Sequence, residues 1–144
     1  MEGILNSVMV RLQAEVPELR YIGEDLGQLD QLSPAVQFPC ALISINSGRF
    51  EPQKENNKRK AKIGLLVRVA DDPATIASMA APDQHKVRAF SIFNILDKVG
   101  DALHRYKCDG CVPLEELEFN RFGREDNIRE YGIQFTGNYM RTSE

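Results

Sequence analysis

The chain holds few side chains able to do covalent or acid–base chemistry. A nucleophile needs a base within hydrogen-bond reach and a third group to orient that base. The two histidines, His85 and His104, stand in no such signature. His104 lies beside the apolar position Leu103, next to Arg105 and Lys107, and reads as a surface residue at a helix C-terminus, where positive charge is mildly favoured. His85 falls in the first turn of the same expected helix. Cys108-Asp-Gly-Cys111 has the spacing of a zinc-binding pair, but no second CxxC or nearby histidine pair completes the four ligands of a structural site. A redox CxxC opens a helix in a βαβ setting, whereas this one follows a helix, so the simpler reading is two cysteines at a turn. With Cys40 the cysteines number three, an odd count that builds no disulfide framework. The acidic pairs Asp71-Asp72, Glu115-Glu116 and Glu125-Asp126 lie in expected turns or strand ends and read as solvated. No glycine-rich phosphate cradle is present. These residues predict no catalytic site, no cofactor and no metal.

One segment carries a distinct charge. Lys54, Lys58, Arg59, Lys60 and Lys62 are interrupted by a single acid, Glu55, in a chain whose net charge is −3. Three readings stay open: a solvated hairpin tip, a dock for an acidic protein surface, or a contact with nucleic-acid phosphates. Phosphate contact would be blind to sequence, since the segment lacks interleaved aromatics that stack bases. The acidic overall balance argues against a free-standing nucleic-acid binder, so DNA contact is possible but not expected.

The elements that would position these residues follow from apolar spacing. At 144 residues the chain fits one domain, spanning 1–144. Ile4, Leu5, Val8, Leu12 and Val16 draw a stripe on an opening helix that Pro17 stops. Leu19–Ile22 suggests a short edge strand, and Gly23–Pro34 a loop. Ala41–Ile45 and Ile63–Ala70 alternate as strands. The polar stretch 46–62 between them reads as a basic hairpin loop that makes them antiparallel neighbours. After the connector Asp71–Pro82, Asp83 is a candidate N-cap for a long helix over Gln84–Tyr106, striped by Ile92, Leu96, Val99, Leu103 and Tyr106. Glu115–Arg121 and Tyr131–Tyr139 form a closing hairpin around the charged turn Gly123–Asn127. The order α-β-β-β-α-β-β predicts an α+β fold: an antiparallel or mixed sheet of about five strands with two main helices on one face. No apolar run approaches the ~20 residues of a membrane span. The opening residues lack the features of a secretory signal, which suggests a reducing cytoplasm.

In this order of elements the chain resembles the tail terminator, or tail completion, proteins of long-tailed bacteriophages and prophage elements. The resemblance lies in the opening helix Ile4–Val16, the proline-entered strand Phe38–Ile45, the polar hairpin into Ala61–Val69, the helix Phe90–Leu103 and the closing hairpin Leu117–Tyr139. It spans nearly the whole chain and is a pattern of elements, not a sharp motif. It implies a structural virion protein of the tail, assembled in the host cytoplasm. Its partners would be copies of itself in a hexameric ring, the tail tube protein and the head–tail connector. It implies no catalytic residues and no membrane. Partner contact would then fall to Lys54, Lys58, Arg59, Lys60 and Lys62. Another neck or minor tail protein of similar order, or a stand-alone module binding nucleic acid or a ligand, are the alternatives.

Overall fold

The computed structural model describes residues 1–32, 34–51, 58–73, 80–108 and 112–142. Among these residues three α-helices and five strands follow in the order α1 (Glu2–Glu15), β1 (Tyr21–Glu24), β2 (Cys40–Glu51), β3 (Lys58–Asp71), α2 (Asp83–Ala89), α3 (Ser91–Leu103), β4 (Glu115–Phe122) and β5 (Arg129–Thr142). The strands form one sheet in the order β1-β2-β3-β5-β4. Among the strand pairs described only β1–β2 is parallel, so of the antiparallel and mixed sheets the sequence pattern allowed, the sheet is mixed.

Period-two alternation puts Ala41 and Ile43 of β2, Ile63, Leu65, Val67 and Val69 of β3, and Tyr131, Ile133 and Phe135 of β5 on one face. Against that face lie Ile4, Val8 and Leu12 of α1 and Ile92, Ile95, Val99 and Leu103 of α3, all buried in one core. Polar groups fasten the two helices to each other. Arg11 donates from Nε to the Ala102 carbonyl at 3.1 Å, and the Ser7 and Tyr106 hydroxyls share a 2.8 Å hydrogen bond.

Among the described residues the opposite face carries no α-helix. Residues after β1 fold back over its centre, and Leu29, in a single 3-10 turn (Gln28–Asp30), buries itself against Cys40, Leu42 and Ala70. Gly27 enters that turn at φ 84°, a left-handed value that only glycine reaches without strain. The peptide bond between Phe38 and Pro39 is cis.

Several expected boundaries move. The first strand sits two residues later than Leu19–Ile22, at Tyr21–Glu24. The strands β2 and β3 run on through most of the polar stretch 46–62, leaving 52–57 outside the described residues. Along the distal half of β2, Asn46–Glu51 are all exposed, so the apolar alternation that marks a strand fades there, while Ala61 and Ile63 of β3 still pack into the core. The long helix expected over Gln84–Tyr106 breaks at Phe90, where the Ser91 hydroxyl donates to the Arg88 carbonyl at 2.8 Å, and ends at Leu103. Asp83 opens α2 as its first residue instead of capping it, because Pro82 takes the cap position.

Candidate functional site

Two features stand out, one of them on the helix-free side of the sheet. The first is a cluster of charges that the sequence reading did not single out. Arg68 points from the middle of β3 into the space under the Leu29 turn. Its Nε donates to Glu130 Oε2 at 2.9 Å, its Nη1 to Asp25 Oδ2 at 3.1 Å and its Nη2 to Asp30 Oδ1 at 3.1 Å. Arg124, from the turn before β5, donates to the other Glu130 oxygen at 2.7 Å, to both oxygens of Asp126 and to the Leu29 carbonyl at 2.6 Å. Glu130 is 1% exposed and thus bridges two guanidiniums at the base of the turn. The Phe122 ring folds over Gly132, where an added Cβ would stand 2.5 Å from it, and Arg68 lies over that ring at 5.6 Å. A buried carboxylate held between two arginines fastens a loop onto a sheet, and every charge in the cluster has a partner. Its chemistry is that of a clasp.

The titration of the clasp follows from these bonds. Hydrogen bonding to Arg68 holds the Asp30 carboxyl below its ordinary value, and hydrogen bonding to Arg124 does the same for Asp126. Arg68 is opposed by burial, but its bonds to Glu130, Asp30 and Asp25 win and raise its pKa. Carboxyls depressed on folding stabilise the fold above their unfolded value and lose that contribution as pH falls through the folded one. Stability should therefore be level near neutrality and fall once pH drops below about 4, the ordinary carboxylate range. Urea midpoints measured across pH should show this acid limb, and Asp30→Asn with Asp126→Asn should flatten it. An unchanged limb in the double variant would count against the clasp. Burial pushes the Cys40 thiol up to about 11, so it behaves as an inert core group.

The second feature is the basic arm formed by the distal halves of β2 and β3 with the end of β5. Lys60 stands opposite Glu51, and Lys62 stands between Arg49 on one side and Asn138 on the other. Lys58 and Arg59 fall in β3 opposite Thr142 and Arg141, and Lys54 lies outside the described residues. Arg49 and Lys62 make no ion pair among the described residues. Like charges directly opposite on paired strands repel.

The remaining candidates scatter. His104 is exposed after α3, and its Nδ1 accepts the Glu116 amide at 3.1 Å. His85 falls in α2, its side chain outside the described residues. Cys108 is buried in the helix-side core, and Cys111 lies outside the described residues. Two acids expected to be solvated are paired instead: Asp71 takes a two-pronged bond from Arg129 at 3.1 and 2.8 Å, and Asp126 is held by Arg124. Among the described residues no group of three or more histidines, cysteines or acids could hold a metal ion. Nor is any helix among them long and apolar enough to cross a membrane. A clue to the clasp was present in the sequence: Arg68 is a lone charge in an apolar strand, and Glu130 adjoins Tyr131 at the start of another.

No protein-family description matches the chain, and no curated protein does. Among solved structures it matches a chain from the virion of a native gene transfer agent particle, with a TM-score of 0.57 and 15% identity over 97% of this chain and 96% of that one. At that identity the likeness is one of fold, and it runs from end to end.

Proposed function

We propose that this chain is a structural subunit of a phage-like virion and acts as a tail terminator. On this reading copies close into a hexameric ring that caps the tail tube, stops its growth and presents a face to the head connector. The end-to-end fold likeness to a chain of a virion particle carries the proposal. The chemistry of the surface supports it: the clasp is internally satisfied, while Leu117 and Phe119 of β4 and Phe50 of β2 are exposed apolar groups on strand edges, where neighbours and not substrates would meet them. The basic residues Lys54, Lys58, Arg59, Lys60 and Lys62 are then contacts for an acidic protein surface.

Light scattering on the purified chain should show a concentration-dependent ring. Added to a polymerising tail tube protein, the chain should arrest tube growth, read as shorter tubes capped at one end in electron micrographs. A chain that stays monomeric and leaves tube length unchanged would sink the proposal. Salt-sensitive retention on DNA without assembly would favour a nucleic-acid module instead.

A further inference from the structure

Two edges of the sheet are open. Strand β4 pairs with β5 on one side only, and all eight of its residues are exposed. At the other edge, β1 covers only the first four of the 12 residues of β2, so Ser44–Glu51 also lacks an outer partner among the described residues. Open edges present rows of unsatisfied amides and carbonyls and template pairing with another chain. The two are of matching length and lie at opposite ends of the same sheet.

Their chemistry is complementary. On β4, Glu115, Glu116 and Glu118 lie within four consecutive positions, and Leu117 and Phe119 are 59% and 65% exposed. Beside the strand, the groove toward α3 is lined by Phe93, Leu96 and Phe119 together with Asp97, Asp101 and Glu116, and by no basic residue. None of these acids has an ion-pair partner among the described residues. On the β2 edge and the strand behind it, Arg49 and Lys62 repel each other across the ladder with no acid between them, and Phe50 is half exposed beside them. Acids predominate on β4, where Arg121 is the one base, and bases predominate on the arm, where Glu51 is the one acid among the described residues.

We infer that the β4 edge of one copy receives the basic β2–β3 arm of a second copy, extending the sheet from subunit to subunit. Such a contact uses different surfaces on the two partners, so it is head-to-tail and closes into a ring if the rotation permits. Like charge on each edge disfavours β4–β4 and arm–arm pairing, which sets the direction. The inference rests on the ring reading above and names its interface.

Charge reversal tests it. Glu115→Lys with Glu116→Lys and Glu118→Lys should abolish self-association in light scattering, and so should Arg49→Glu with Lys60→Glu and Lys62→Glu. All these positions lie on the surface or at its margin, and circular dichroism checks that each variant folds. Neither variant should assemble alone, but mixing the two should restore assembly as alternating copies, since every junction then joins opposite charges. Placing both sets in one chain should restore assembly. If the wild-type chain assembles and both reversed variants assemble equally well, the interface is wrong and the ring reading stands. If the wild-type chain neither assembles nor caps tubes, both fail.

Discussion

Glu130→Ala should cost the fold roughly 3–5 kcal/mol, the usual penalty for removing one partner of a buried ion pair. The loss has two parts. Both guanidiniums lose their bond to the carboxylate, and each is mostly buried, with side chains 13% and 12% exposed for Arg68 and Arg124. Neither can turn to bulk water without lifting the Leu29 turn, since Arg124 is also bound to the Leu29 carbonyl and Arg68 to Asp25 and Asp30. Glu130→Gln should recover little of the loss, because its amide would aim N–H groups at one of two donors. Urea unfolding at neutral pH should show a lower midpoint with an unchanged slope, and the melting temperature should fall by roughly ten degrees. A loss below about 1 kcal/mol would mean that the arginines find water without cost, as an exposed pair does, and that the cluster is not a clasp.

The layers of this fold were legible because helix and strand periods differ. Ile4, Val8 and Leu12 step by four and Ile63, Leu65, Val67 and Val69 by two, and both sets are buried where those periods place them. What escaped was whatever leaves no apolar signature. In Asn46–Glu51 every residue is exposed, so alternation has no cause there, and at the start of β3 the buried Ala61 between Lys60 and Lys62 is too small to mark a strand. The clasp escaped for another reason. Asp25, Asp30, Arg68, Arg124 and Glu130 come from four separate stretches and meet only when the turn closes over the sheet. The sequence marks Arg68 as a lone charge in an apolar strand and Glu130 as the neighbour of Tyr131, but nothing in it pairs them with Asp25, Asp30 and Arg124; that pairing is a property of the assembled fold.

Phe135→Ala tests the helix side in the same currency, with an expected loss of about 3–5 kcal/mol from lost transfer energy and the cavity left behind. The upper part of that range is expected, because Phe135 is fully buried in β5, with β3 and β4 bonded on either side of it. Those ladders hold the backbone in register, so the sheet cannot close the gap, and only α1 or α3 could shift to fill it. The signature should differ from that of Glu130→Ala. A lost apolar contact carries no charge, so its cost should be the same in low and high salt and across neutral pH. Phe135 also offers nothing to a neighbour, so below its lowered melting temperature the variant should assemble like the wild type, whereas the reversed β4 or arm variants should keep their stability and lose assembly. A Phe135→Ala chain with near-native stability would place the principal core elsewhere than under the two helices. A folded Phe135→Ala chain that no longer assembled would mean that the interface reaches through the helix layer, and the edge-to-edge geometry would have to give way.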